Sequence, residues 1–431
     1  MSVKLPYYIA RRISKGSTTG YSGKLIKLAI VTIALSITVM ILSSAVIKGF
    51  KKEISNKIFG FWGNIHITDT QVTRNFELIP IKNDENLKDS IKSIGFLQYN
   101  DASLQEARTI KTTKGGVEGV SPFITFPGIL KNKEQELEGM ILKGVNREYN
   151  QIKFNTYLKS GRFPNLNDTI QVSREILISQ QTASRLSLSQ DDKVVIHFLK
   201  GKTQLKRSFN VCGIYKTGLE EYDRKFAFID MRFIQDILGW DATQVSGLEV
   251  FIDHVEDSEP IADYIYNEIL PANLYAETIQ EKHRNIFEWL ELQDINERII
   301  LLLMAIVALI NMSTVLLIVI LERTQMIGIL KAIGQSNWSI RMVFVFNALY
   351  IMGLALLVGN AIGLSLAFIQ KKFGVLKLDE ASYYLTEVPI EFDWMSLAVI
   401  NGGVIVITLI MMIIPSYLGT RILPIDILRF N

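Results

Sequence analysis

Cysteine is almost absent: Cys212 stands alone among 431 residues, so no internal disulfide can staple the chain and any folded domain must be held by its own core. Acidic residues are missing from the first 27 positions, which carry Lys4, Arg11, Arg12, Lys15, Lys24 and Lys27 instead. No charge of either sign occurs in residues 28–47, and neither proline nor glycine occurs in residues 278–321, so nothing there forces a helix to break. The marks of catalysis are missing too. There is no nucleophile elbow, and the four histidines, His66, His197, His254 and His283, are scattered without metal-ligand spacing. Gly201-Lys202-Thr203 lacks the upstream glycine of a phosphate loop, Ile196 standing in its place within a strand-like run, and reads as a hairpin turn. Glu220-Glu221-Tyr222-Asp223 is a carboxylate cluster without a predicted cleft. With 46 basic against 43 acidic residues, a net charge of +3 implies no nucleic-acid partner.

What is present is four long apolar runs, at residues 28–47, 299–321, 342–369 and 395–418. Each is long enough to cross the hydrocarbon core as a helix of about 20 residues. The basic flank keeps the amino-terminal segment 1–27 in the cytoplasm. Loop 322–341 holds Arg323, Lys331 and Arg341 against Glu322, whereas loop 370–394 holds Asp379, Glu380, Glu387, Glu391 and Asp393 against Lys371, Lys372 and Lys377. The first loop is therefore expected inside, the second outside, and the tail 419–431 inside. Lys48, Lys51, Lys52 and Lys57 follow the first crossing on the outer side and are expected to snorkel at the interface. A cleaved signal peptide is the alternative for the first run, but its apolar stretch exceeds the usual 7–15 residue core and Ser43-Ser44-Ala45 is a weak cleavage site.

Residues 48–298 read as an α+β domain. Strands are expected at 64–68, 117–126, 139–145, 193–199, 207–215, 226–229 and 248–252, and helices at 87–94, 180–186, 231–238 and 260–269. A segment of this length is expected to form two subdomains. An amphipathic stretch around Ile286, Trp289 and Leu290 is expected to run as a helical stalk, 278–298, straight into the second crossing. The fold class is thus an α-helical membrane protein with four transmembrane helices and a large extracytoplasmic α+β domain between the first two.

No Asp, Glu, Lys, Arg or His sits within the runs, which disfavours an ion-coupled carrier. Asn311, Asn347, Asn360 and Asn401 suit interhelical hydrogen bonding, and Gly353, Gly359 and Gly363 form a small-residue packing face in the third run. In loop 322–341, Met326, Ile327 and Leu330 share one face at helical spacing. That face needs either the membrane surface or a partner protein, and the residues alone leave both open.

Residues 322–334, Glu-Arg-Thr-Gln-Met-Ile-Gly-Ile-Leu-Lys-Ala-Ile-Gly, resemble the Glu-Arg-x-x-Glu-Ile-Gly-Ile-Leu-Arg-Ala-x-Gly signature of the FtsX-like, MacB-type permeases of ABC transporters. Met326 replaces the second glutamate and Lys331 the arginine. Pro415-Ser416-Tyr417 and the ending from Pro424 to Phe430 are similar to that family's close. The marks extend along the chain in the manner of the transmembrane subunits of the lipoprotein-releasing system: Ile9-Ala10-Arg11-Arg12, Gly49-Phe50, Glu53, Asn56-Lys57-Ile58, Gly213, Gly218, Glu221-Tyr222-Asp223 and Val245-Ser246-Gly247-Leu248-Glu249. The resemblance implies an FtsX-like permease domain at 299–425 and a MacB-type periplasmic domain before it. It makes the loop a coupling helix, with Glu322, Arg323, Met326, Ile327, Leu330, Lys331 and Gly334 seated against a cytoplasmic ABC ATPase. It implies no catalytic residue, metal or cofactor on this chain, ATP-Mg being held by the partner. A second permease subunit, identical or paralogous, lipoprotein cargo and a periplasmic lipoprotein carrier are the remaining partners implied. The carrier-recruiting hook of one paralogue bears a proline, whereas the link at 200–206 is short and has none.

For such a task a chain-binding cavity between two subunits is expected, lined by Met40, Ile41, Ser44, Ile47, Phe50, Ile299, Leu303 and Ile306. The rival readings are a mechanotransmitting regulator of periplasmic cell-wall hydrolases, a MacB-type exporter with its ATPase on another chain, and an anchored enzyme.

Overall fold

The computed structural model describes residues 8, 21–72, 78–100, 110–149, 154–168, 171–200 and 203–411. Two compact units are formed, one from Met1–Glu53, Trp289–Leu378 and Glu387–Asn431, the other from Ile54–Glu288 and Asp379–Thr386. The motif Ile9-Ala10-Arg11-Arg12, the Pro415 and Pro424 motifs and the last part of the fourth run lie outside the described residues.

Among the described residues, four helices are long and apolar enough to cross a membrane. They run over Tyr21–Trp62, Arg284–Glu322, Asn337–Phe373 and Trp394–Met411. The first spans 42 residues. It outruns its apolar stretch because Ile54, Ile58 and Phe61, all fully buried, continue a helical repeat beyond the lysines. In the helical unit the core joins Ile33, Ile37 and Met40 of the first helix to Met312 and Leu316 of the second, Phe344 and Ile351 of the third, and Val404 of the fourth. Asn360 and Asn401 exchange side-chain hydrogen bonds of 2.8 and 3.1 Å between the third and fourth helices, the glue expected of them.

The three packing glycines are not equivalent. A Cβ on Gly359 would lie 2.8 Å from the Ala34 carbonyl oxygen, and Thr38 Oγ1 donates to the Gly359 carbonyl at 3.1 Å. A Cβ on Gly363 would meet Ile41 no closer than 3.3 Å, and one on Gly353 would meet nothing within 4 Å. Gly353 is therefore corrected from the packing face: it points to open space. Gly359→Ala is expected to cost roughly 1–3 kcal/mol by prising the first and third helices apart. Gly363→Ala should be tolerated, and Gly353→Ala neutral or slightly stabilising from helix propensity. Thermal unfolding of the three variants in detergent, followed by circular dichroism, checks the ranking; equal losses would refute it.

The lysines after the first crossing find partners within the protein. In the helical unit Lys48 bonds to Asp393 and Ser396, Lys51 lies 2.6 Å from Asp294 and Lys52 lies 2.6 Å from Glu391. The Glu391 amide donates to the Ala45 carbonyl at 3.0 Å, and a Cβ on Gly49 would sit 2.6 Å from the Pro389 carbonyl oxygen. The segment between the third and fourth helices thus lies against the first helix, its Asp393 and Glu391 neutralising Lys48 and Lys52, while Asp294 of the second helix neutralises Lys51. In the α+β unit Lys57 donates to the Tyr384 carbonyl at 2.9 Å.

The α+β unit is built on a ten-stranded mixed sheet. Its strands are β1 (Ile65–Asp69), β5 (Val117–Lys131), β6 (Leu137–Val145), β7 (Leu158–Gly161), β8 (Glu175–Ser179), β9 (Lys193–Lys200), β10 (Thr203–Tyr215), β11 (Phe226–Asp230), β13 (Gly247–Ile252) and β14 (Leu274–Thr278), while β2 (Ile81–Lys82) pairs with β12 (Gln244–Val245) and β3 (Gln98–Asn100) with β4 (Ile110–Thr112) in two small sheets. The path runs β14-β1-β13-β5-β6-β11-β8-β10-β7, with β9 pairing both β10 and β5. Pairing is antiparallel except for β11 with β6 and β10 with β8. Lys200 opposes Thr203 in the β9 and β10 ladder, as a tight connection requires, while residues 201 and 202 lie outside the described residues.

The uninterrupted stalk is also corrected. Strand β14 ends at Thr278, whose side chain forms a capping box with Glu281 over the short helix Ile279–Lys282. His283 interrupts, and the long second helix begins at Arg284. No proline or glycine was needed, because the cap defines one helix start and the next helix starts anew five residues later.

Candidate functional site

The link between the second and third helices folds as expected for a docking element but presents a different face. The second helix stops at Glu322, a helix covers Thr324–Ala332, and Gly334 turns the chain with φ +87° before Ser336 caps the third helix. Ile327 is fully buried against the core of the helical unit, Leu330 packs on that core, and Met326 packs beside Val343 and Phe346. The reading of Met326, Ile327 and Leu330 as the outward face is corrected: Ile327 is wholly covered by the chain's own helices, and Met326 and Leu330 are half-buried against them. Arg323 and Lys331 are half-buried and Glu322 is exposed. The apolar side chains left outward are Ile329, 61% exposed, and Ile333, 74% exposed, one turn apart, with Trp338 exposed at the start of the third helix. A short helix apolar on both flanks gives no periodicity signal for which flank packs inward, so the sequence could not decide between them.

The expected cavity set divides in the same way. Met40, Ile41 and Ser44 are buried within the helical unit, where Ile41 faces Gly363, and so do not line a surface toward another subunit. Ile47 is half-buried, and Phe50 stands edge-on to Trp289 with ring centres 5.6 Å apart. Ile299, Leu303 and Ile306 are exposed. They continue an apolar stripe that begins at Leu292 and Ile295, among Glu291, Asp294, Glu297 and Arg298, and proceeds through Leu302 and Ile310. Repeats of three and four residues keep Leu292, Ile295, Ile299, Leu302 and Ile306 on one side of the helix.

A feature that pattern reading missed lies in the α+β unit, where the first long helix ends. Lys143, fully buried on β6, donates to the Phe61 carbonyl at 2.6 Å and lies 2.6 Å from the buried carboxylate of Glu249 on β13. Its ammonium also lies 4.5 to 5.8 Å from the ring centres of Phe61, Trp62, Tyr149 and Phe228. A cation on a terminal carbonyl complements the negative end of the helix macrodipole. The Phe61 ring stacks on Tyr222 at 5.0 Å and meets Phe226 and Phe228 edge-on. His66 donates from Nε2 to the Trp62 carbonyl at 2.9 Å, and its Nδ1 accepts from Lys282 at 2.9 Å. His283 stacks beside Trp62, so the start of the second long helix meets the same cluster.

Burial dominates the electrostatics of this socket. It pushes the Glu249 carboxyl up to about 7 against the pull of Lys143, and it lowers Lys143 itself. Burial also lowers Lys282 and holds His66 well below the usual imidazole value, and it brings His283 down to about 4. The marks Glu221-Tyr222-Asp223 and Val245-Ser246-Gly247-Leu248-Glu249 therefore serve architecture. Tyr222 is a wall of the socket, Glu249 holds its cation, and Asp223 accepts from the Thr217 amide, the Thr217 hydroxyl and the Gly218 amide at 2.7 to 3.0 Å. That last carboxyl braces a loop, with burial raising it despite those bonds.

Among the described residues no group of three or more histidine, cysteine, aspartate or glutamate side chains is arranged to hold a metal. Cys212 is buried, its thiol pushed up to about 12 by loss of water, so it is not a ready nucleophile.

Comparison with known proteins matches the same two parts. Residues 28–266 match the MacB-like periplasmic core domain, and residues 298–424 match the FtsX-like permease C-terminal region. The chain is 22% identical to the lipoprotein-releasing system transmembrane protein LolC of Neisseria meningitidis serogroup B, across 96% of this chain and 95% of that one. It is 20% identical to the lipoprotein-releasing system transmembrane protein LolE of Haemophilus influenzae, across 98% and 99% of the two chains. The periplasmic region of MacB from Actinobacillus actinomycetemcomitans aligns with 52% of this chain and 92% of its own, at 12% identity and a TM-score of 0.34.

Proposed function

The chain belongs to the FtsX-like permease family with a MacB-like periplasmic core domain, and we propose that it is the membrane-spanning subunit of an ABC transporter that releases lipid-anchored proteins from the bacterial inner membrane for transfer to the outer membrane. The observation that carries this reading is the outward apolar pair Ile329 and Ile333 on a short helix between two membrane helices. A separate cytoplasmic ATPase, which holds ATP-Mg, docks there. Both termini lie in the cytoplasm and the α+β domain in the periplasm, following the basic flank of the first helix and the charge bias of the loops. The names of the relatives support lipoproteins as the cargo.

The task requires an external energy source. Withdrawing an acyl chain from the bilayer costs about 0.8 kcal/mol per methylene, on the order of 10 kcal/mol per long chain. The helix socket at Phe61 ties the end of the first long helix to the sheet, since displacing one without the other breaks the Lys143 bond to the Phe61 carbonyl and uncovers the Phe61 ring from Tyr222, Phe226 and Phe228. Along the second helix the stripe from Leu292 to Ile310 faces a second permease subunit, identical or paralogous. Its membrane-proximal end lies among charged residues, where exposed leucine and isoleucine call for protein cover. The acyl chains of the cargo are received beside Ile299, Leu303 and Ile306.

Purification of the full chain from native membranes in mild detergent, followed by mass spectrometry, tests the reading. An ABC ATPase and acylated lipoproteins are expected together. Recovery of cell-wall hydrolases or of an outer-membrane channel without lipoproteins would move the chain to another branch of the family.

A further inference from the structure

In the helical unit an open groove of about 760 Å³ runs along the end of the third helix, lined by Leu364, Ser365, Phe368, Ile369, Lys371, Phe392 and Trp394. Its floor is apolar. Trp394 is 70% exposed at its edge, the position an indole takes at a membrane interface. At the same end of the helix stand two adjacent cations, Lys371 and Lys372. Lys371 Nζ lies 5.2 Å from the Phe392 ring centre and Lys372 Nζ 5.5 Å from the Phe373 ring centre. Among the described residues neither makes an ion pair, whereas Lys48, Lys51 and Lys52 of this unit are each matched to an acid. The nearby acids do not supply the missing partner: Glu391 serves Lys52, Asp393 serves Lys48, and Glu387 lies over Gly374.

From this juxtaposition we infer that the groove is a binding site for an anionic phospholipid, one acyl chain lying along Leu364, Phe368 and Ile369 and the phosphate held between Lys371 and Lys372. The charge at the helix carboxyl end complements its dipole, but a dipole does not require an adjoining apolar trough with an indole at its rim. Chain and headgroup together account for all three features. The lipid also has a structural consequence. Phe392 lies between Glu391 and Asp393, the two acids that grip Lys52 and Lys48 of the first helix, so a chain packed under Phe392 backs the segment that holds that helix in place.

The test uses the full chain in nanodiscs of phosphatidylcholine doped with phosphatidylglycerol whose acyl chains are brominated, and reads tryptophan fluorescence. Trp394→Phe supplies the background from the other tryptophans. Half-maximal quenching of Trp394 is expected at a mole fraction roughly tenfold lower for brominated phosphatidylglycerol than for brominated phosphatidylcholine. In Lys371→Gln/Lys372→Gln, whose side chains are exposed and whose circular dichroism should match the parent, the ratio should fall to about one. Equal quenching by the two lipids in the unsubstituted protein means an unselective annular shell and overturns the site. So does an undiminished preference in the double variant, and so does absence of quenching by either lipid, which would mean that another protein chain covers the groove.

Discussion

Ile329→Asp/Ile333→Asp is expected to release the ATPase while leaving the permease folded. Both side chains are more than half exposed, so a carboxylate at either position stays in water and removes only an apolar anchor. Central anchors of this kind each carry about 2 kcal/mol of a protein interface. The pair should therefore weaken the complex by two to three orders of magnitude. Surface plasmon resonance with the permease in nanodiscs and the purified ATPase in solution measures it. Ile327→Asp is the instructive contrast. That side chain is fully buried, and a carboxylate there must lose its hydration inside an apolar core, at a cost of several kcal/mol. It should lose helical structure along with binding. Unchanged ATPase affinity in the Ile329, Ile333 double variant, with its fold intact, would refute the docking surface and the transporter assignment resting on it.

Lys143→Met is expected to destabilise the protein by about 3–5 kcal/mol, the loss typical when one partner of a buried ion pair is removed. The reason is local. Glu249 would remain without a cation, and the Phe61 carbonyl would lose a donor at 2.6 Å. Lys143→Met/Glu249→Leu should recover most of that loss, because two apolar side chains of comparable volume leave no stranded charge. Thermal unfolding in detergent, monitored by near-ultraviolet circular dichroism of the surrounding tyrosine and tryptophan, distinguishes the variants. A single substitution costing less than about 1 kcal/mol would mean that the socket does not hold the helix end. A double variant that keeps its fold also separates stability from transmission: release of lipoprotein per ATP hydrolysed should fall in it even where the melting temperature is regained.

Much of the architecture is legible in the sequence, because membrane crossings depend on a local property. Some 20 successive apolar residues suffice to specify a helix in lipid, whatever it packs against. Strands such as β9 and β13, dense in valine, isoleucine and phenylalanine, were legible for a similar reason. Strand β8, Glu-Ile-Leu-Ile-Ser, was not, since five residues with a short apolar run fit a buried helix segment equally well. The Thr278 to His283 break was missed because it arises from a cap at the end of a strand and carries no proline or glycine.

The sequence by itself determined the four crossings, the α+β character of the domain between the first two, and the family to which the coupling motif belongs. Only the tertiary structure decided which side chains are available to partners. It turned Ile327 inward and left Ile329 outward. It withdrew Met40, Ile41 and Ser44 from the proposed cavity, emptied the space around Gly353, and joined Lys143 to Glu249 and Phe61, both far from it along the chain. Local hydrophobicity selects the helix; which of its faces is covered depends on elements far away in sequence, and no periodicity within the helix records them.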